Sequence, residues 1–329
     1  MNFLFLLLVA AAVFCFFKFF NFKETPSPNK TAQQTQEIKN STPVTKPEPV
    51  PASKTEIQPD DSTVYQKGSL GEYLEEMHKK KYSLAFSFDL KKISAKRIYE
   101  IKQKLNKAKT QLQFARDLKK YNELGLNKKM IKFETPVPHS QYFSGIERLL
   151  ICSGFVNAAD CNIADALEDF QTAIKILNIY LNGTYCSIDL YYTSNIRNHM
   201  ITVIKNSNLP DKDKQSFLDM IPGHKEFSQA LPQICEGDLQ LCIGLKQYLE
   251  KTSGKLAGFS AETLETVRET PMPRFEKLLT EYYSKLVQAF SDGSLKKESK
   301  FDIGTPKENA MLAELISIPA MFRVYNAVK

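Results

Sequence analysis

Cys161 is the residue whose neighbours most resemble a chemical site, because Asp160 precedes it and Asp165 follows four residues later. A reactive thiolate needs a cationic or histidine neighbour that lowers the pKa of the thiol. No Lys, Arg or His adjoins Cys161 in the sequence. Apolar residues at helical spacing begin directly after it, at Ile163. We therefore interpret Cys161 as the corner of a helical hairpin.

Cys235 and Cys242 form a second candidate pair, in the stretch ICEGDLQLC. On one continuous helix their Cα atoms would lie about 10 Å apart, which is beyond the reach of a disulfide. Gly237 and Asp238 between them indicate a corner between two helices, and across a corner the pair could close. Two interpretations stay open: a disulfide between Cys235 and Cys242, or two free thiols that pack as small hydrophobic groups.

The histidines do not form a helical metal motif, because none lies three or four residues from another. His199, within a helical pattern, is interpreted as a partly buried packing residue. The chain also lacks the nucleophile elbow Gly-x-Ser-x-Gly, a glycine-rich phosphate loop and the dinucleotide fingerprint Gly-x-Gly-x-x-Gly. The sequence therefore predicts no catalytic residue, no metal site and no cofactor.

The strongest electrostatic feature is the segment 78–133, which holds 17 Lys and Arg residues against four acidic ones. Its net charge is +13, whereas the whole chain carries +7. One interpretation is a solvated helix face packed on an acidic surface of the same domain. Another is a surface for anionic lipid headgroups. Nucleic acid is disfavoured as a partner, since no aromatic residues interleave the charges. The basic positions proposed to carry this surface are Lys102, Lys104, Lys107 and Lys109.

The N-terminal segment 2–22 is predicted to be a membrane anchor. It contains fifteen uninterrupted apolar residues, followed by Lys18 and four more residues rich in Phe. About 20 residues suffice to span a bilayer, if Lys18 extends its charge to the interface. The small residues that signal cleavage requires, Ala10 to Ala12, lie inside the apolar run. The sequence therefore favours an uncleaved single-pass anchor over a removed signal peptide.

Residues 23–68 are rich in Pro, Thr, Ser, Gln and Lys and show no periodicity, which predicts a disordered stalk. A stalk that holds a domain away from a membrane is typical of exported proteins, and the cysteine usage points the same way. Lys18 and Lys23, by contrast, flank the span on its C-terminal side, and the positive-inside rule alone would keep that side in the cytoplasm. We expect the folded domain to be extracytoplasmic, on the periplasmic side.

The whole chain of 329 residues is 43% hydrophobic and 25% charged, and its remainder after residue 68 is long enough to bury a sizeable core. Amphipathic runs separated by single Pro, Gly and Asn residues predict an all-α fold, an array of antiparallel hairpins. The predicted helices are 70–81, 94–121, 139–156, 162–181, 187–206, 211–220, 224–234, 238–252, 261–269, 273–291 and 305–328. The predicted divisions are an anchor (1–22), a stalk (23–68), a basic helical segment (69–136) and a helical domain (137–329).

The stretch 145–177 resembles one tetratricopeptide unit. Gly154, Ala166, Phe170 and Ala173 stand where that pattern places residues at the close approach of two helices. Asn162 suits the N-cap position of the second helix. A frame shifted by 34 residues finds no second copy, so we expect a lone tetratricopeptide-like unit. Such a unit cannot bury its own apolar face, and flanking helices must complete the core.

The order of segments after this hairpin resembles a known group. The hairpin is followed by SIDLYYTSNIRNHMITVI, then LPDKDKQSFLDMI, then SQALPQICEGDL. This order is similar to that of the uncharacterised, exported, membrane-anchored all-helical proteins of planctomycete-type bacteria, over residues 145–329. The resemblance implies the architecture and the address, and it carries no activity and no site residues.

Two functions from different classes follow from these patterns. The first is a membrane-tethered extracytoplasmic helical scaffold or protein-interaction domain, with a protein or peptide as its partner. The alternative is an exported enzyme whose site is not visible as a linear motif. A shallow groove lined by exposed Tyr and Asn would favour the scaffold. A deep pocket with several converging ionisable groups would favour the enzyme.

Overall fold

The computed structural model describes residues 64–84, 86, 88–127, 131, 139–252 and 259–329. The predicted membrane anchor and most of the predicted stalk lie outside these residues. The described helices are α1 (Leu70–Lys79), α2 (Ile98–Lys107), α3 (Lys109–Asp117), α4 (His139–Ala159), α5 (Ile163–Gly183), α6 (Ser187–Lys205), α7 (Asp211–Met220), α8 (His224–Lys251), α9 (Ala261–Glu269), α10 (Met272–Ser291), α11 (Pro306–Leu315) and α12 (Ile318–Val328). In the described part of the chain, β pairing is limited to one antiparallel bridge between Tyr65 and Leu126. The predicted all-α class is confirmed.

Several helix starts follow directly from capping chemistry. The Ser260 hydroxyl accepts a hydrogen bond from the Thr263 backbone N–H and begins α9. Thr305 and Glu308 form a reciprocal capping box at the start of α11. Each side chain satisfies a backbone N–H that the helix itself leaves without a partner. The bounds predicted for α7 and α9, 211–220 and 261–269, coincide with those observed.

Three predicted helix boundaries are wrong. The helix predicted over 94–121 is interrupted at Ala108, and the helix predicted over 305–328 breaks before Ser317, which caps α12. The two helices predicted on either side of Gly237 are one helix, α8, which runs through both Pro232 and Gly237. One face of α8 buries apolar residues along its whole length. This burial offsets the helix propensities of Gly and Pro, which are about 1 and 3 kcal/mol worse than that of Ala. The buried apolar residues of α8 are Phe227, Ala230, Leu231, Ile234, Cys235, Leu245 and Leu249.

The buried apolar residues form two clusters. The first core runs from Leu70 to Ile221 and is built by α1 to α7. The second core is built by α8 to α12 together with Leu181 and Leu190. The basic segment shares the first core with α4 and α5, so the boundary predicted at residue 136 does not coincide with a division of the core. The change of core instead follows α7.

The hairpin of α4 and α5 is the centre of the first core. A Cβ atom at Gly154 would lie 3.0 Å from the Phe170 ring, so the small residue allows the two helices to approach closely. Cys161 lies exposed in the turn between them, with a left-handed φ of 62°. The prediction that Cys161 is a corner residue is confirmed. Asn162 occupies the N-cap position of α5, but its side chain makes no capping hydrogen bond.

The folded part begins before residue 69. Tyr65 is only 2% exposed, and the neighbouring Gln66 N–H donates to the carbonyl oxygen of Gly125 at 2.7 Å. Tyr65 therefore packs with the folded part, because a buried aromatic side chain belongs to the core.

Among the described residues, no single helix is both long and apolar enough to cross a bilayer. Helices α11 and α12 would be so only when taken together, and they are bent by 49° at their junction. The apolar face of α12 contributes to the second core. Its buried residues are Ile318, Met321, Val324, Tyr325 and Val328.

Candidate binding groove between helices α6 and α12

An open groove lies where α12 packs against α6. Helix α6 supplies one wall, helix α12 supplies the other, and the connection between α10 and α11 contributes one lysine. The lining residues are Tyr191, Asn195 and Asn198 on α6, Lys297 on the connection, and Pro319, Phe322, Arg323, Asn326 and Ala327 on α12. On each helix these residues are spaced by one, three or four positions, so they share one helical face.

The opposite faces of the two helices hold the walls in place. Leu190 and Met200 of α6 are fully buried, as is Val324 of α12. Helix α12 begins where the Ser317 hydroxyl accepts from the Ala320 N–H, with Pro319 in its first turn. Proline is favoured there because its missing N–H is not needed and its φ suits a helix. The sequence therefore places an amphipathic helix whose less buried side, with Arg323 and Asn326, faces the groove.

Arg197 joins the two walls of the groove through hydrogen bonds to both of them. Its Nη1 donates to Asn198 Oδ1 at 3.0 Å and to the carbonyl oxygen of Ala327 at 2.9 Å, and its Nε donates to the carbonyl oxygen of Pro222. Burial lowers the pKa of Arg197 from its usual value. The guanidinium thus links α6 to the last turn of α12 and to the connection between α7 and α8. It supplies the last turn of α12 with a donor for one of its unpaired carbonyl groups.

The same contact orients the Asn198 carboxamide. Arginine has only donors, so the atom of Asn198 that faces Arg197 must be the amide oxygen. The amide nitrogen, with its two N–H groups, therefore points away from Arg197. A carboxamide held in one orientation loses less freedom when it binds a partner than a free one does.

Aromatic and cationic side chains complete the groove. Tyr191 and Phe322 are partly buried in its walls, and Tyr192 beside them is 44% exposed. Burial raises the pKa of Tyr192. Lys297 and Arg323 are exposed, and none of the described lining residues is acidic. Carboxamides, rings and cations suit reversible binding.

The four predicted lysines do not form one uniform surface. The Lys102 Nζ atom lies 2.6 Å from Asp160 Oδ1, in the turn between α4 and α5. Lys104 Nζ lies 3.9 Å from Glu100 Oε1 and 5.2 Å from the centroid of the Phe88 ring. Lys107 and Lys109 are exposed.

Other cations of the basic segment pair with the acidic residues of α5. Arg116 donates to both oxygens of the buried Asp169, at 2.7 and 2.8 Å, and Lys119 pairs with Glu168. These contacts support the interpretation that the basic segment packs on an acidic surface of its own domain. The exposed residues Lys107 and Lys109 are then the lysines that could contact anionic lipid.

Of the two interpretations left open for Cys235 and Cys242, the structure has the two free thiols. Both are free thiols on the continuous helix α8, where seven residues correspond to about 10 Å. The corner predicted at Gly237 is absent, since α8 continues through this residue. The glycine is needed here for a close contact with another segment of the chain. A Cβ atom there would lie 1.8 Å from the carbonyl oxygen of Tyr185, so glycine allows the connection between α5 and α6 to contact α8. All the described cysteines are free thiols, so none of them provides a disulfide that would indicate an oxidising compartment.

Asp238 lies at this contact, and the sequence patterns did not single it out as an ionisable site. Both of its carboxylate oxygens accept from the Ser187 backbone N–H, at 3.2 Å each, at the first turn of α6. Burial raises the pKa of Asp238 to about 7, against these hydrogen bonds, which favour the ionised form. Burial likewise raises the pKa of the neighbouring Cys242 thiol to about 12. The Asp238 side chain therefore stabilises the start of α6. The Cys242 thiol is a poor nucleophile, because its raised pKa keeps it protonated.

Glu147 is a second ionisable group that sequence patterns missed. It is 0% exposed within α4, and neither carboxylate oxygen has a hydrogen-bond partner. Burial raises its pKa well above the usual value. A signal was available in the sequence. Phe143 lies four residues before Glu147 and Leu150 lies three residues after it, so Glu147 occupies the apolar stripe of the helix.

Two of the histidines, His199 and His224, behave as packing residues. His199 is partly buried as predicted, and burial lowers its pKa. His224 stacks on the Phe290 ring, and its Nε2 atom lies 3.0 Å from the Phe290 carbonyl oxygen. The described residues contain no cluster of His, Cys, Asp and Glu that could hold a metal ion.

No family model, curated protein or solved structure matches this chain.

Proposed function

We propose that this protein is a membrane-tethered helical scaffold that binds a protein or peptide in the groove between α6 and α12. The observation that supports the proposal is the lining of that groove: three Asn carboxamides, two aromatic rings and two cations on walls joined by Arg197. Aromatic and arginine side chains dominate the binding energy of many protein interfaces. The open shape suits a partner that lies along the surface.

The membrane tether and the location remain part of this proposal. The apolar segment 2–22 is long enough to act as a single-pass anchor, and the composition of the following stalk suits an extracytoplasmic, periplasmic domain. The resemblance to exported helical proteins of planctomycete-type bacteria favours the same location. In this proposal the hairpin of α4 and α5 is the single tetratricopeptide-like unit. It supports the binding surface without forming it.

The alternative, an exported enzyme, has less support in the structure. Its expected feature is a deep pocket in which several ionisable groups converge. The groove between α6 and α12 and a second concavity at the end of α8 are both open, and the strongly perturbed carboxyl groups, Glu147 and Asp238, line neither. We therefore place recognition ahead of catalysis.

Photo-crosslinking tests the proposal directly. A photoreactive amino acid replaces Asn326, an exposed residue of the groove, and a control chain carries it in place of Tyr99, which is 74% exposed on α2. In cells that produce the protein, we expect an adduct with another polypeptide at position 326 and not at position 99. Asn198→Ala in the same chain should reduce the adduct. Equal adducts at both positions, or none at position 326, would contradict the proposal.

The location requires a separate measurement. Protease added to intact cells should digest an extracytoplasmic domain and leave a cytoplasmic marker protein whole. Protection of the folded domain until the membrane is disrupted would place it in the cytoplasm and refute this part of the proposal.

A further inference from the structure

The groove is a positive site in a part of the chain that is otherwise net negative. Residues 134–329 contain 20 Lys and Arg against 24 Asp and Glu, a net charge of −4. Lys297 and Arg323 nevertheless line the groove, and none of the described lining residues is acidic. Cations gathered at one site within an acidic domain favour a partner of negative charge, because complementary potentials speed association and exclude wrong partners.

The carboxamides indicate the conformation of that partner. Asn195, Asn198 and Asn326 can each donate and accept hydrogen bonds, as a peptide group does. A helical partner satisfies its own backbone groups, whereas an extended segment leaves them available. Asn195 and Asn198 are three residues apart on α6, which places their Cβ atoms about 5–6 Å apart. In an extended chain, groups that point the same way repeat about every 6.6 Å, a closely similar spacing.

The length of the groove limits the size of the partner. The lining residues span from Tyr191 to Asn198 on α6 and from Pro319 to Ala327 on α12. At a rise of 1.5 Å per residue these spans correspond to about 11 and 12 Å. An extended segment covers that length with about four residues. The rings of Tyr191 and Phe322 offer contact to an apolar side chain within it.

We propose that the partner presents a short, acidic, extended peptide segment of about four residues with an apolar side chain among its carboxylates. The proposal rests on the binding function proposed above and specifies its ligand. Lys297 and Arg323 pair with the carboxylates, the Asn carboxamides bind the backbone, and Tyr191 and Phe322 contact the apolar residue. The Arg197 contact with Asn198 holds one of these carboxamides ready for binding.

A random peptide display library, selected on the full chain in detergent micelles, provides the test. We expect Asp and Glu to be enriched among the selected peptides relative to selection on empty micelles. Enrichment of neutral or basic peptides would overturn the acidic class and leave the binding function standing. Absence of any enrichment would overturn both, so the two failures are distinguishable.

Matched charge reversals locate the binding. The groove variant carries Lys297→Glu and Arg323→Glu. The control carries Lys107→Glu and Lys109→Glu. These substitutions change the net charge by the same amount, at exposed positions of the basic segment that do not line the groove. The affinity for a selected acidic peptide should fall at least tenfold in the groove variant and stay within twofold in the control. Equal losses in both variants would overturn the assignment to the groove.

Two further measurements keep the test decisive. If circular dichroism shows that the groove variant is unfolded, Lys297→Gln with Asn198→Ala replaces it and should weaken binding about fivefold. Unchanged binding in that variant would overturn the proposal. Replacing residues of the selected peptide by the helix-promoting α-aminoisobutyrate should also weaken binding. Tighter binding would overturn the extended conformation.

Discussion

The Glu147→Gln variant should be more stable than the parent chain, by a margin that grows as the pH rises. The Glu147 side chain is fully buried in α4, and neither oxygen has a hydrogen-bond partner. Burial therefore raises its pKa well above the usual value, which favours the protonated carboxyl group in the folded chain. Tyr180, on α5, is the titratable neighbour whose own raised pKa includes a contribution from Glu147. Glutamine has nearly the same shape and cannot ionise.

The magnitude follows from linkage between proton binding and folding. The pKa of Glu147 is higher in the folded chain than in the unfolded chain, so the folded chain binds more protons between the two values. The free energy of unfolding therefore falls as the pH rises through that window, by about 1.4 kcal/mol per pH unit. A rise of two pH units within that window would remove about 2.8 kcal/mol, which is a large share of a typical stability of about 5–15 kcal/mol.

Urea unfolding of the full chain in detergent micelles, followed by circular dichroism from pH 4.5 to 7.5, measures this effect. The stability difference between Glu147→Gln and the parent chain should grow with pH, because contributions of other groups such as Asp238 cancel in the difference. Glu236→Gln, at an exposed position of α8, is the matched control. A difference that stays constant with pH would refute the reasoning, since it would mean that Glu147 is solvated or paired in the folded chain.

Three other perturbations test separate features. Gly237→Ala should destabilise the protein by at least about 2 kcal/mol in urea unfolding, because its Cβ atom would lie 1.8 Å from the Tyr185 carbonyl oxygen; a loss below 0.5 kcal/mol would contradict the close contact. Cys161→Gly should raise stability by about 0.5–1 kcal/mol, because the φ of 62° strains any residue with a side chain; a lower stability would show that the thiol itself is needed. If the basic face meets anionic lipid, reversing Lys107 and Lys109 to Glu should weaken binding to phosphatidylglycerol vesicles, and binding should fall with salt; unchanged binding would leave these lysines as a solvated surface.

Local patterns were sufficient for most of the helices. The bounds of α7 and α9 coincide with prediction, because each begins at a strong start signal such as Pro210 or Ser260. The continuity of α8 could not be predicted. Gly237 has a low helix propensity, and its contact with Tyr185, which is 52 positions earlier in the chain, outweighs that propensity. A helix corner and a close helix contact look alike in the sequence around a glycine.

The groove could not be predicted from the sequence. Its two walls contribute Asn198 and Asn326, which are separated by more than a hundred residues, and only packing brings them together. Arg197, which joins the walls, is one of many basic residues and has no local signature. Glu147 was a different case, since a carboxylate on the apolar stripe of a helix is visible in the sequence.

Helix α6 belongs to both cores: Leu190 near its start is buried in the second core, and Met200 and Ile204 near its end are buried in the first. Neither half of the molecule can therefore lose α6 without exposing its own apolar surface. This sharing makes unfolding cooperative, so that both halves should melt in one transition. It also means that a peptide bound along α6 would raise the melting temperature of the whole domain, because the helix that holds the peptide is common to both halves.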